Sequence, residues 1–269
     1  IGLHSGSRAR ILVEMGLPGS GVVFLVDEEQ IAAKPKLVSS SHPRATALVG
    51  EQHTVATVEH LLAALAAFGE KDVRITVEGP ESPILDGSAL PFTETLAEMG
   101  ADPQPHFVHL AEEVTVFHAG AKARMVPLRP QDEPMIHLVI DFERPELPRQ
   151  NFTYHPLRDD FLAEVAPART FAFEEDVEAI LEAGLGKGGS LDCALILGRD
   201  GPLNAEGMRF ENEPVRHKLL DAMGDLFLLG GLPLAEIHLE KPGHRLLHEL
   251  VRAAKPLCST PHPDPGSTA

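Results

Sequence analysis

The segment Pro214–Leu229 places His217, Asp221 and Asp225 at successive i, i+4 positions, which would stack them on one face of a helix. Lys218 borders that stripe, and Val215, Leu219, Leu220, Met223, Leu226 and Phe227 fill the rest of the wheel. A solvated face laced by ion pairs would also fit, but in so acidic and polar a chain such a face is usually broader. A second segment, Thr57–Phe68, reads TVEHLLAALAAF, so past its first turn every side chain is apolar and the helix is expected to be buried nearly all round. Glu59 and His60 are its only ionisable groups. Taken alone, Glu59 serves equally to complement the helix dipole, and His60 reads as a satisfied core histidine. Two buried helices carrying such groups are costly unless the groups pair or bind metal. Two His and a carboxylate around zinc, with one position left for water and a free glutamate as base, is a hydrolytic pattern.

Sheets are needed to hold those helices. Arg8 to Asp27 reads as two short strands around the Gly16–Gly21 turn, and Asp72 to Glu78 alternates with Val73, Ile75 and Val77 on one face. The loop Gly79–Ser88 leads into another helix, with Pro91 near its first turn and Gly100 at its end. Pro103 and Pro105 make Ala101–His106 the expected linker between domains at 1–102 and 106–256. In the second domain, strands are expected near Val108–Phe117, Ala123–Pro127 and Met135–Phe142, and a helix near Asp160–Val165. Arg169–Phe173, helix Glu174–Ala183 and strand Leu191–Leu197 read as a compact β-α-β insertion. Strand Leu234–Glu240 and helix His244–Ala254 complete the domain, and 257–269 is expected to be a flexible tail. Strands and helices mixed without regular crossovers predict the α+β class.

At 269 residues and 43% hydrophobic, the chain can bury two cores without covalent staples. It holds no apolar run of membrane-spanning length and does not open with a charged-then-apolar signal segment. Cys193 and Cys258 match neither a disulfide framework nor a CxxC spacing, which predicts a reducing, cytoplasmic setting. A net charge of -17 argues against a nucleic-acid partner, which needs a basic face. The chain opens at Ile1 without an initiator Met, the expected sign of a trimmed N-terminus.

Several ordered motifs fall along the chain: GLHSG at 2–6, TVEHL at 57–61, PILDGSALPF at 83–92, ARTFAF at 168–173 and GGSLDCA at 188–194. RHKLLDAMGDLFLLG at 216–230 and KPGH at 241–244 follow. Over almost its whole length the chain thereby resembles the UDP-3-O-acyl-N-acetylglucosamine deacetylases of lipid A biosynthesis. The resemblance implies that His60, His217 and Asp221 bind zinc, iron being able to satisfy the same set, and that Glu59 is the general base. His244 is implied as an imidazolium that stabilises the oxyanion and protonates the departing amine, with Asp225 orienting it and raising its pKa. Thr170 and Lys218 are implied as oxyanion donors.

The fold implied is two β-α-α-β domains facing each other through their helices, with the active site between them. The insertion would form an apolar passage for the acyl chain of UDP-3-O-acyl-GlcNAc. Phe171, Phe173, Ala194 and Ile196 suit that passage and equally suit a small core. Lys218 is a candidate contact to the diphosphate, His4 a further one on the substrate side, and a monomer without stable membrane insertion is expected. The chain departs from the family pattern in lacking the strand before GLHSG, in a more polar Ser39–Arg44 segment, and in Arg144 where His is common. Two alternatives stand beside this reading: a zinc amidase acting on another N-acylated substrate, and a non-catalytic nucleotide-sugar binding protein. The second is disfavoured by the retention of Glu59, His244 and all three ligands.

Overall fold

The computed structural model describes residues 1–42 and 44–259. Up to Glu98 the chain builds β1 (Arg10–Met15), β2 (Val22–Val26), β3 (Glu29–Ala32), β4 (Leu48–Val49), β5 (Thr54–Val55), α1 (Glu59–Phe68), β6 (Val73–Glu78) and α2 (Leu90–Glu98). Beyond the stretch 101–106, which forms no helix or strand, come β7 (Phe107–Leu110), β8 (Val114–His118), β9 (Ala121–Pro127), β10 (Met135–Ile140), β11 (Gln150–Tyr154) and α3 (Phe161–Glu164). They are followed by β12 (Phe171–Phe173), α4 (Glu174–Glu182), β13 (Leu195–Gly198), β14 (Gly201–Pro202), α5 (Glu213–Phe227), β15 (Leu232–Glu240), α6 (His244–Ala254) and β16 (Cys258–Ser259). The mixture of helix and sheet is that of an α+β fold.

Four strands form one sheet in the order β1-β6-β2-β3, whose inward residues Val22, Phe24, Val26, Val73, Ile75 and Val77 alternate as a half-buried sheet requires. A seven-stranded sheet is built around β15, which runs parallel to β10 and β7 and antiparallel to β9. β12, β13 and β14 form a third, small sheet. Its β12 and β13 are parallel, and α4 supplies the crossover that parallel neighbours need. Among the described residues, no strand before 101–106 pairs with one after it.

Helix α1 is buried at all ten positions, as its unbroken apolar run dictates, and Gly69 ends it in the left-handed conformation at φ 66°. It packs against α5. The crossing is tight: a Cβ added at Gly224 of α5 would stand 2.1 Å from the carbonyl oxygen of Glu59, so only glycine lets the two backbones approach. Four of the expected elements differ. Val108–Phe117 is two strands, β7 and β8, because the halves pair with different partners, β15 and β9. The insertion's second strand starts at Leu195 rather than Leu191, since 191–193 form a turn whose backbone Asn204 bridges from Leu191 to Ala194. Helix α1 starts at Glu59 rather than Thr57, which sits in the left-handed region at φ 57° and breaks the helical path. Finally, the tail expected over 257–269 is contradicted at its start, where Cys258 and Ser259 pair with β7; its residues 260–269 lie outside those described. Among the described residues no helix is long and apolar enough to cross a membrane.

Candidate active site

The crossing of α1 and α5 brings together residues far apart in sequence. From the first turn of α1 come Glu59 and His60; from successive turns of α5 come His217, Asp221 and Asp225; from the first residue of α6 comes His244. All six are buried. His217 Nε2 lies 3.3 Å and His60 Nε2 3.6 Å from Asp221 Oδ1, and the two imidazole rings meet edge to face at 5.0 Å. One donor atom of each of the three lies within 4.8 Å of the others, so the group can hold a metal ion.

The state of these groups fits that role. Asp221 Oδ1 is buried without a hydrogen-bond partner, an expensive condition unless a cation meets it. His217 donates Nδ1–H to the carbonyl of Ala168 at 3.0 Å, which fixes the tautomer and leaves Nε2 as a lone-pair donor. Burial drives the His217 pKa down to about 4, so the ring is neutral at pH 7 and available as a ligand. Burial works against charge on Asp221, but the neighbouring His217 and the Lys218 ammonium, with Nζ 2.7 Å from Oδ2, hold its carboxyl well below the usual range. Glu59 is shifted the other way: burial raises its pKa and makes it a stronger base than an exposed glutamate. His244 is buried too, yet Asp225 at 2.8 Å from Nδ1, with Glu59 and Asp221 at 3.8 Å from Nε2, outweighs that and holds it up at about 9.

Glu59, His60, His217, Lys218, Asp221, His244, Thr170, Phe171, Phe173 and His4 all line one open cavity of about 500 Å³. Asp225 lies behind it, fully buried against His244. A second, more apolar cavity of about 750 Å³ shares Leu3, His4, Arg44, Thr170, Phe171 and Ala172 with the first and runs under the insertion past Val177, Ile180, Ala194 and Ile196. Phe173, expected with the passage residues, instead faces the first cavity, where Arg144 stacks on its ring at 4.4 Å and pairs with Asp176 at 2.7 Å.

Three contributors were absent from the sequence reading. Thr46 bonds to Glu59 and Asp225 from a loop with no periodic signal, and Arg44 lines both cavities from the same loop. His248 lies beside Asp225, and its i+4 spacing from His244 on α6 was a signal that could have been read.

Residues 1–255 match the family model described as UDP-3-O-acyl N-acetylglycosamine deacetylase. A UDP-3-O-acyl-N-acetylglucosamine deacetylase of Myxococcus xanthus is 38% identical over 258 residues, covering 94% of this chain and 81% of the relative. Proteins of the same name from Anaeromyxobacter sp. and Nostoc sp. are each 39% identical, over 94% of this chain and 83% and 92% of their own lengths. The chain belongs to the UDP-3-O-acyl N-acetylglycosamine deacetylase family.

Proposed function

We propose that the chain hydrolyses the acetamide of UDP-3-O-acyl-N-acetylglucosamine, releasing acetate and leaving the free amine, as a step of lipid A biosynthesis in the cytoplasm. The observation that carries this reading is the unpartnered Asp221 Oδ1 facing two histidine Nε2 atoms, with Glu59 and His244 beside it outside the ligand set. His60, His217 and Asp221 would hold zinc, and iron suits the same donors. When bound, the metal acidifies water and withdraws charge from the acetamide carbonyl.

The remaining work belongs to the chain. Glu59, strengthened as a base by burial, takes the proton of the attacking water. Lys218 and Thr170 present an ammonium and a hydroxyl to the cavity as donors for the oxyanion, each such donor being worth about 3 kcal/mol. His244, held as an imidazolium by Asp225, gives its Nε2 proton to the departing amine. Phe171, Ala194 and Ile196 take the acyl chain into the second cavity, and His4 and Phe173 border the sugar. We assign the site to the junction of two β-α-α-β domains, residues 1–102 and 106–256, facing each other through α1 and α5. In support, all strand pairing among the described residues stays within either half.

The test is a deacetylation assay on UDP-3-O-acyl-GlcNAc with metal content measured in parallel. Turnover should vanish on chelation and return with zinc or ferrous iron. Full activity in protein shown by elemental analysis to be metal-free would refute the metal-dependent reading.

A further inference from the structure

Thr46, in the loop before β4, has no solvent exposure, and neither has Asp225, to whose Oδ1 its hydroxyl donates a hydrogen bond. A hydroxyl carries one proton and a carboxylate only accepts, so this bond leaves the Thr46 oxygen as an acceptor. His248 Nε2, 2.8 Å away, must therefore carry a hydrogen and donate to it, with His244 Nδ1 at 3.3 Å as a weaker second donor. The other oxygen of Asp225 accepts from His244 Nδ1 at 2.8 Å. With Nδ1 committed, His244 presents Nε2 to Glu59 Oε1 and Asp221 Oδ2. The main-chain N–H of the same Thr46 donates to Glu59 Oε2 at 3.0 Å, which leaves Oε1 as the oxygen facing His244.

One residue thus sorts the oxygens of two carboxylates. We propose that Thr46 is a positioning residue for the deacetylation: its side chain fixes the Asp225–His244 pair and its main chain selects the Glu59 oxygen that faces the reaction. The proposal rests on the reading of Glu59 as base and His244 as acid given above. The two contributions are separable, because the loop keeps its main-chain anchors in any side-chain variant: Thr46 N–H on Glu59, and the Thr46 carbonyl accepting from Val58 N–H at 3.2 Å. Valine has the shape of threonine and lacks only the hydroxyl, so Thr46→Val isolates the chain of hydrogen bonds from His248 to His244.

Kinetics and ring-nitrogen NMR test this on the metal-loaded full chain. Thr46→Val should lower kcat about tenfold to a hundredfold, the worth of a hydrogen bond to a charged group, with KM and bound metal unchanged. Thr46→Ser, which keeps the hydroxyl, should return to within about threefold of the parent. In an Asp225→Asn background the valine substitution should cost less than about twofold, because the chain is already broken there. A serine variant as slow as the valine one, or the same loss again in the Asp225→Asn background, overturns the proposal. Thr46→Ala carries the same expectations should the valine variant not fold. Imidazole ¹H–¹⁵N spectra should show His248 protonated at Nε2, and its signals should move in Thr46→Val. Identical His248 signals in both proteins overturn the proposal whether or not the protein deacetylates. Absence of turnover in the parent protein would instead remove the functional reading, and the spectra would still decide on Thr46.

Discussion

Glu213 and Asp221 stand eight residues apart on α5 and are both hidden from solvent, yet their surroundings differ completely. Glu213 accepts from the main chain and guanidinium of Arg169, at 3.0, 2.8 and 3.2 Å, and from the main chain of Arg209 at 2.6 Å. Arg169 in turn reaches Glu206 and the carbonyl of Gly207. Every member of that cluster is satisfied by protein, which is what a structural buried charge requires. Asp221 has Lys218 on one oxygen, while the other faces the two histidine Nε2 atoms without a hydrogen bond. A saturated cluster has no capacity left for a ligand, whereas an unsaturated one costs stability and is retained where a cation or substrate completes it. The saturated cluster still serves the site indirectly: Arg169 precedes Thr170 and β12, so it ties the insertion that lines the apolar cavity to the start of α5.

Substitution within the unsaturated cluster should have the largest effect. Asp221→Asn or His60→Ala should release the metal and abolish turnover while far-UV and near-UV dichroism stay native. Glu59→Gln should keep the metal and lose about 10² to 10⁴ in rate, the span of a general base. Release of metal by Glu59→Gln, with normal rate per bound ion, would make Glu59 a ligand and redraw the cluster.

In the saturated cluster the expectation reverses. Arg169→Met strands the Glu213 carboxylate in the interior and should cost about 3–5 kcal/mol in denaturant unfolding, with metal bound per folded molecule unchanged. Adding Glu213→Gln should recover part of that loss, since removing both partners is cheaper than removing one. A metal deficit in folded Arg169→Met would break the division between the two clusters.

How much of this was legible in the sequence follows from how each signal arises. α1, α5 and five buried site groups, Glu59, His60, His217, Asp221 and Asp225, could be read because a charged or His residue on an otherwise apolar helix stands out at helical period, whereas His244, the first residue of α6, was implied only by the resemblance through KPGH. Nothing comparable marks Thr46, whose contacts reach 179 and 202 residues along the chain, or Gly224, which reads as a mere weakness in a helix until the crossing with Glu59 is seen. Arg169 was visible only as one letter of ARTFAF, because its partner is contributed by another element. Among the strands, β11 (QNFTY) and β3 (EQIA) hold only two apolar residues each, too few to mark a face, and the split between β7 and β8 is decided by partners distant in sequence. For the insertion the resemblance implied an apolar passage and the residues alone left a small core equally open; side-chain direction within FAF was not legible either, since Phe171 and Phe173 both border the first cavity and only Phe171 of the two reaches the second.

That cavity supplies the next contrast. Ala194 lines it and belongs to neither cluster. Ala194→Gln fills apolar space with an amide and should reduce the preference for acylated over non-acylated UDP-GlcNAc by about tenfold to a hundredfold, equivalent to two or three CH₂ groups at about 0.8 kcal/mol each. Zinc content and unfolding midpoint should hold. Equal kcat/KM for the two substrates in the unsubstituted protein would favour an amidase of different specificity and leave the metal chemistry intact.

The smallest expected effect probes Asp225, a third carboxylate on α5 that combines features of both clusters: its oxygens are satisfied, yet it touches a group that works in the cavity. Burial alone would push His244 down, and Asp225, ahead of Glu59 and Asp221, holds it at about 9. A histidine whose folded pKa lies above its ordinary 6.5 contributes stability fully below that value, and the contribution is lost as pH rises through about 9. If His244 must be protonated to release the amine, kcat/KM falls along the same alkaline limb. Asp225→Asn removes the largest raising influence, so burial weighs more, the imidazolium loses its proton at lower pH, and the limb should move in the acid direction by about one pH unit or more. The unfolding midpoint should lie furthest below the parent's near pH 6, the deficit should shrink as pH rises towards about 9, and the two should converge above that. A bound cation on Asp221 lowers the limb of parent and variant alike, so the comparison is made at equal metal loading. An alkaline limb unmoved in Asp225→Asn, with metal retained, would mean that His244 is not the proton donor and that Asp225 belongs with Glu213 among the purely structural carboxylates.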